Sequence, residues 1–256
     1  MKKVKFNIRR EMIWTVLLAA IFGLIAFTTG SVVGDGVVRD IRIMLENNDN
    51  NHVLEEEDIF RLMQLDRENL IGASLSTLNM RQLELRIRAN RWVEDADVYS
   101  DLKGNLFVEV VLRRPIARFV QPDGSGAFIA EDGTIMPVPQ RFAIRTVLVT
   151  GPATAQLMKK DNLYQDEYGN KLMALIHSLQ AHAFWRAQIA QLDISSSGKI
   201  KMQPQVGSQV IEFGKPEQIE AKLNKLQIFF TRILPTRGWN RYHRVNVEFQ
   251  NQIVAE

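Results

Sequence analysis

The sequence predicts an α+β protein held to a membrane by a single N-terminal transmembrane helix, and three observations carry that expectation. Residues 12–34 contain no charged side chain. Residues 35–114 read in order as strand, helix, helix, strand, strand, and residues 115–256 mix short alternating strands with two longer helical stretches before a last alternating strand. The chain therefore divides into a cytoplasmic tail at 1–11, the membrane helix at 12–34, a first folded unit at 35–114 and a second, mixed α/β unit at 115–256.

Met12 to Gly34 is the stretch that sets the topology. As a helix it is roughly 34 Å long, enough to cross a hydrocarbon core of about 30 Å with some tilt. Lys2, Lys3, Lys5, Arg9 and Arg10 precede it against one acid, Glu11, and basic flanks of this kind stay in the cytoplasm. The rest of the chain is then exported. A cleaved signal peptide is the competing reading, because Thr29-Gly30-Ser31 and Gly34-Asp35-Gly36 are small enough for a cleavage site, although the apolar run is longer than such peptides use.

Composition narrows the function. The formal net charge is +3, and the first eleven residues hold +4 of it, which leaves the remainder at −1. The basic excess thus belongs to topology and gives no reason to expect a nucleic-acid partner. With no cysteine, the exported part has no disulfide and no thiol chemistry. Its stability must come from packed cores.

In the first unit Val37 to Ile43 reads as a short strand, followed by the asparagine-rich loop Asn47 to Asn51. Glu55-Glu56-Glu57-Asp58 then places carboxylates in the first turn of a helix whose apolar stripe is Ile59, Leu62, Met63 and Leu65. A second helix is expected from Ser76 to Ala89, capped by Ser76 or Thr77 with Met80, Leu83 and Ile87 inward, yet Leu83, Leu85 and Ile87 also alternate as a strand would. Asp95 to Ser100 and Leu106 to Leu112 flank a turn at Asp101-Leu102-Lys103-Gly104-Asn105, a hairpin with Leu106, Val108, Val110 and Leu112 on one face. Pro115 lacks a ladder donor and ends that strand. The expected result is a three-stranded sheet covered on one face by two helices.

The second unit opens on another hairpin, Ala127 to Ala130 and Thr134 to Met136 around Glu131-Asp132-Gly133. A strand at Thr146 to Val149 follows, then helical periodicity at Leu172, Leu175, Ile176 and Leu179, then strands near Gln191 to Ile194, Lys199 to Gln203 and Gln209 to Phe213. Ile219, Leu223, Leu226, Phe229, Phe230 and Ile233 form a long helical stripe bounded by Pro216 and Pro235. Val245, Val247 and Phe249 alternate with polar residues and predict a final half-buried strand.

No set of residues points to catalysis. His177 and His182 are five apart, roughly 140° on a helix, so they do not share a face for a metal. His52 and His243 stand alone. Ser196-Ser197-Gly198-Lys199 spells Ser-x-x-Lys, but that chemistry needs the serine at a helix start and this one sits in a Ser/Gly turn between strands. Gly124-Ser125-Gly126 opens no helix and makes no phosphate loop. Paired carboxylates for glycoside cleavage depend on the fold and stay open. The chain carries no expected catalytic, cofactor or metal residue.

Five segments in one order carry a resemblance: Asn90-Arg91-Trp92-Val93-Glu94-Asp95-Ala96-Asp97-Val98, Arg113-Arg114-Pro115-Ile116-Ala117, Ala130-Glu131-Asp132-Gly133, Ala221-Lys222-Leu223 and Val245-Asn246-Val247-Glu248-Phe249. Behind one N-terminal anchor, this series resembles the FtsQ family, called DivIB in other bacteria, a bitopic cell-division protein with a POTRA domain and a following β domain. Leu112 stands where the family's exit motif usually has Glu, and Asn246 to Phe249 are looser equivalents of its last strand. The resemblance implies a non-enzymatic scaffold of the divisome, single-pass in the inner membrane at the division septum. It would join FtsB-like and FtsL-like coiled-coil membrane proteins to septal peptidoglycan synthesis, with other divisome proteins meeting the POTRA domain at 35–114. A partner strand adding to an exposed sheet edge supplies the means. The implied partner-binding residues are Val245, Val247, Glu248, Phe249, Gln250, Asn251, Gln252, Ile253 and Val254, with Trp239 and Tyr242 as anchoring contacts. Without the resemblance, the terminal strand reads simply as core. A membrane-tethered cell-wall enzyme and a POTRA-type export or assembly chaperone are the alternatives; the chaperone type normally repeats the POTRA unit or precedes a β-barrel.

Overall fold

A computed structural model describes residues 36–47, 53–139 and 144–256. The charge-free run at 12–34 and its basic flank, His52 and most of the asparagine-rich loop lie outside the described residues. Among the described residues, no helix is long and apolar enough to cross a membrane.

The first unit is a three-stranded sheet with helices on one face. Strand β1 spans Asp40–Glu46, three residues later than the sequence pattern places it, and is followed by helix α1 (Glu56–Met63), the single turn α2 (Arg67–Leu70), a 3-10 turn at Leu75–Thr77 and helix α3 (Met80–Arg88). Strands β2 (Val93–Ser100) and β3 (Asn105–Leu112) close the unit in the order β1-β3-β2, with β1 parallel and β2 antiparallel to β3. In α1 the acidic first turn faces the positive end of the helix, and the Glu55 N–H donates to Asp58 Oδ2 at 2.9 Å. Asn79 caps α3 by accepting from Gln82 N–H at 3.0 Å, so neither Ser76 nor Thr77 is the cap; both belong to the preceding 3-10 turn. Leu85 is 60% exposed while Leu83 and Ile87 are buried, which resolves the ambiguous alternation in favour of the helix.

The second unit is a nine-stranded sheet. Its elements are β4 (Pro115–Val120), β5 (Gly126–Ala130), β6 (Ile135–Pro137), β7 (Val147–Thr150), the short α4 (Thr154–Leu157), α5 (Glu167–Ala181), α6 (Ala183–Gln188), β8 (Ile189–Ile194), β9 (Ile200–Pro204) and β10 (Val210–Gly214). Helix α7 (Ile219–Ile228), a π-helical turn at Phe229–Ile233, α8 (Leu234–Arg237), β11 (Arg244–Asn246) and β12 (Val254–Ala255) complete it. The strand order is β12-β11-β10-β9-β8-β7-β4-β5-β6. Leu172, Leu175, Ile176 and Leu179 of α5 and Leu223 and Leu226 of α7 are buried in one core with Phe119, Val149, Leu192, Met202 and Phe213 of the strands.

Three expectations are corrected. Pro115 does not merely end β3; it is the first residue of β4, a place where a missing N–H is tolerated. Pro235 does not end the long helix, which continues through it: the π-turn widens the backbone just before Pro235, where an α-helical N–H would otherwise be required. The final strand is not continuous through Val254. β11 stops at Asn246, the chain reverses at Asn251 with φ 57°, and β12 comes back antiparallel to β11. The reason lies on α7, where Lys225 Nζ donates to the carbonyls of Val247 and Phe249 at 2.5 and 2.6 Å and so withdraws acceptors that a longer strand would use in its ladder.

The two sheets meet across β5, which is buried on both faces. Ala127 and Ile129 face the second core, whereas Phe128 and Ala130 belong to the first, with Met136 of β6. Trp92, at the start of β2, packs its ring 5.7 Å from Phe128 and donates its indole N–H to the Pro137 carbonyl at 3.1 Å. Arg91 donates to the Ile135 carbonyl at 3.1 Å and pairs with Asp161. Arg113 Nε reaches Asp132 at 2.8 Å. Burial alone would raise the Asp132 carboxyl, but hydrogen bonds from Arg113 and Thr134 and the Arg113 charge together hold it below the usual carboxylate range.

A double-mutant cycle on this seam is expected to be strongly coupled. Trp92→Ala and Phe128→Ala should each lower the unfolding free energy by about 3–5 kcal/mol, and the pair should fall short of additivity by about 0.5–1.5 kcal/mol. Urea unfolding of the single and double variants measures this, and strict additivity would show that the two rings do not act together.

Candidate functional site

The residues expected to bind partners lie at the β12 end of the large sheet, and the structure sorts them into two groups. Val245 and Val247 are fully buried, and Tyr242 packs against the same core with its ring 5.8 Å from Phe229. Val245 and Val247 are therefore core of the sheet, and Tyr242 is half-buried against it. Glu248 is half-buried, paired with Lys199 at 2.9 Å, and its N–H donates to Asn246 Oδ1 at 2.8 Å. The surface group is Trp239, Phe249, Gln250, Asn251, Gln252 and Val254, all exposed, with Ile253 half-buried against the core. Phe249, 51% exposed, is the large apolar side chain of this group most open to solvent.

Beside the reversal runs a groove of about 530 Å³, walled by Gln218, Ala221, Lys225 and Ile228 of the α7 region and by Gln250 to Ile253. Lys225 fixes one wall to the other through its two carbonyl contacts, and burial holds its ammonium below the usual lysine range. One turn earlier, Lys222 is buried with Nζ 4.8 Å from the Phe213 ring centre and donates to the Lys215 carbonyl at 2.7 Å. Burial is the main cause that pushes it down, and Lys225 and Lys199 add to this against the opposing pull of Glu248 and Glu217. Apolar Ile228 and Phe249 therefore flank a groove that carries one cation and several side-chain amides.

The edge itself is open. Arg244 and Glu256 exchange backbone hydrogen bonds at 3.1 and 2.9 Å, so the alternation of an antiparallel pair turns the N–H and C=O of Ala255 away from β11. Two other edges carry side-chain contacts to their outward backbone groups. On β2, Arg88 Nε donates to the Ala96 carbonyl at 3.0 Å and Glu84 accepts from Val98 N–H at 3.1 Å. On β6, Arg91 and Trp92 occupy the carbonyls of Ile135 and Pro137. An added strand thus finds free backbone groups at β12 that these two edges do not offer.

The catalytic candidates are not assembled. The serines from Ser195 to Ser197 lie in the β8–β9 turn, Ser195 Oγ meets Ser197 Oγ at 3.0 Å, and Lys199 points instead to Glu248. His177 Nε2 lies 3.1 Å from the Tyr164 hydroxyl, and His182 is exposed at the end of α5. Among the described residues no three His, Cys, Asp or Glu side chains are grouped to hold a metal.

Comparison with known families gives two matches. A family described as FtsQ/DivIB, C-terminal related, matches residues 114–256, and a POTRA-like domain matches residues 36–111. The chain belongs to the FtsQ/DivIB family. No curated protein matches it. Membership carries a role in cell division, and FtsQ/DivIB proteins are a non-enzymatic division family.

Lys225, Ile228 and Ala255 are the site residues that sequence reasoning missed. The first two sit on a helix read only for its buried stripe, and Ala255 follows a strand read as ending at Val254. Neither Lys225 nor Ile228 lies on the stripe of Ile219, Leu223 and Leu226, so the apolar periodicity gives no sign of them. Replacing Lys225 by Met should cost about 1 kcal/mol and speed amide hydrogen exchange at Gln250 to Val254 while leaving the β8–β9 amides protected. Unaltered exchange at 250–254 would mean that another contact holds the reversal.

Proposed function

We propose that this FtsQ/DivIB protein is a membrane-anchored, non-catalytic scaffold of the divisome at the division septum. In this reading residues 12–34 anchor it in the cytoplasmic membrane with residues 1–11 inside, and the folded units lie outside. The β12 edge and the adjoining groove receive an FtsB-like coiled-coil protein together with its FtsL-like companion, and the POTRA-like domain faces other divisome proteins, so that these are joined to septal peptidoglycan synthesis.

One observation carries the reading: β12 ends the nine-stranded sheet with the Ala255 N–H and C=O turned outward, directly beside the groove. Backbone groups in that state accept an added strand, while a neighbouring groove with an exposed aromatic supplies side-chain selectivity. The basic flank before the charge-free run supports the orientation.

Ala255→Pro is the decisive variant, because it removes an outward N–H that β11 does not use. Recovery of the FtsB-like protein with the full-length chain should fall at least tenfold, as it should with Phe249→Asp, and the unfolding midpoint should stay put. A proline at Val247 is unsuitable, since its N–H donates to the Glu212 carbonyl at 3.1 Å and its side chain is core. Undiminished recovery with Ala255→Pro would remove the edge from the account.

Topology is checked separately. A reporter enzyme that works only outside the cytoplasm, fused after Glu256, should be active; the complementary cytoplasmic reporter should be silent. The reverse pattern would overturn the orientation.

A further inference from the structure

The end of the POTRA-like domain at which the described chain begins carries apolar side chains from three separate segments. Val37 is 43% exposed, Ile71 49%, and Leu102, at the β2–β3 turn, is exposed completely. Backbone contacts tie the three segments together. Gly72 N–H donates to the Val38 carbonyl at 2.8 Å, Val38 N–H to the Ala73 carbonyl at 2.9 Å, and Arg39 N–H to the Gly104 carbonyl at 2.8 Å. The approach at the turn is so close that a Cβ on Gly104, whose φ is +88°, would stand 2.4 Å from the Val37 carbonyl oxygen. The three tips are therefore one composite surface on a rigid sheet end, because β1 and β3 start there side by side in the Asp40↔Asn105 register.

Cations stand closest to the tips, with Asp40 at the start of β1 and Glu68 one turn before Ile71 as the nearby acids. Arg39 and Lys103 are exposed beside the apolar tips. Asp101, in the same turn, has its carboxylate folded inward: it accepts from the backbone N–H groups of Lys103 and Asn105 at 2.8 and 2.9 Å and from Asn105 Nδ2 at 2.7 Å. Tyr99, 44% exposed and stacked on Phe107 with ring centres 5.1 Å apart, continues the surface onto the uncovered face of the sheet. Apolar tips flanked by Arg39 and Lys103 match the boundary between acyl chains and anionic headgroups.

Position decides what covers it. The charge-free run ends at Gly34, three residues before Val37. Three residues span at most about 10 Å when fully extended, little more than the ~5–8 Å of headgroup layer on one side of a bilayer. We infer that the Val37, Ile71 and Leu102 tips seat in the outer-leaflet interface of the membrane that the chain spans, with Arg39 and Lys103 on anionic headgroups. The POTRA-like domain then stands on the bilayer at a fixed tilt instead of swinging from its anchor. The inference rests on the proposed anchoring by residues 12–34.

The chain has no cysteine, so Leu102→Cys gives a single labelling position on a fully exposed side chain. Full-length protein carrying a nitroxide there is reconstituted in vesicles of phosphatidylcholine and phosphatidylglycerol, and collisions with oxygen are compared with collisions with a water-soluble nickel chelate. Val206→Cys, 62% exposed in the β9–β10 connection, is the reference. The label at 102 should favour oxygen at least threefold over that at 206, and Arg39→Glu with Lys103→Glu should bring the two ratios together. Equal ratios for 102 and 206 in protein that floats with the vesicles would overturn the inference and leave the anchor standing. Protein that fails to float would overturn the anchor itself. Protection of 102 from both reagents, persisting in detergent, would mean that protein and not lipid covers the tip, which also overturns it.

Discussion

The structure depends on the packing of β5 between two cores. Ala127 and Ile129 complete the interior of the large sheet, and Phe128 and Ala130 complete that of the three-stranded sheet. Trp92 closes the seam with its ring on Phe128 and its N–H on Pro137. Without a cysteine in the chain, no disulfide ties the two sheets, which the backbone joins only at Arg113-Arg114, so their mutual orientation rests on this buried contact and on the ion pairs of Arg91 and Arg113 around it. Close-packed interiors resist continuous deformation. The chain-entry end of the first sheet and the β12 edge of the second are accordingly held at a fixed distance and angle.

Much of this was legible because periodicity reports burial directly. The β2–β3 hairpin could be read from Leu106, Val108, Val110 and Leu112, all buried as expected, and the helix on Leu172, Leu175, Ile176 and Leu179 likewise. The seam was legible in principle as well. Ala127-Phe128-Ile129-Ala130 is apolar throughout, and a strand with polar residues on neither face has both faces covered. What periodicity does not contain is a contact reaching in from elsewhere. Val245, Val247 and Phe249 alternate as one strand, yet Lys225 takes the carbonyls of Val247 and Phe249 from the side and Asn251 reverses the chain. The burial of Val245 and Val247 is what their alternation predicts; it was the family resemblance that assigned them, with Tyr242, to partner contact. The N-cap of α3 was misplaced for a related reason: three candidate cap residues lie within four positions, and only the fold decides that Ser76 and Thr77 form a turn of their own.

The choice of edge follows from how the chain spends its own side chains. A three-stranded sheet of this size would ordinarily offer β2 to any extended peptide, but Glu84 and Arg88 of α3 already satisfy its outward N–H and C=O at Val98 and Ala96. These residues sit one helical turn apart on the face of α3 that meets β2, where an acid and a base serve as substitutes for a neighbouring strand. On β6, Arg91 and Trp92 do the same while binding the two units together. Sealing these two edges suppresses unwanted pairing there.

An edge of two residues cannot by itself bind tightly. Each intermolecular backbone hydrogen bond contributes roughly 0.5–1.5 kcal/mol net, and the few that fit on Val254–Ala255 fall well short of the ~8 kcal/mol that micromolar affinity requires. The remainder has to come from apolar burial in and beside the groove, at Ile228 in its wall and at Phe249 just before the 250–253 wall, 44% and 51% exposed, where burying a side chain of that size is worth about 1.5–3 kcal/mol. The backbone edge therefore sets the register and direction of a bound segment, and the side chains of α7 and the 249–253 reversal decide which segment it is. Because Lys225 joins those two walls, the shape of the groove and the place where β11 ends are fixed by the same side chain.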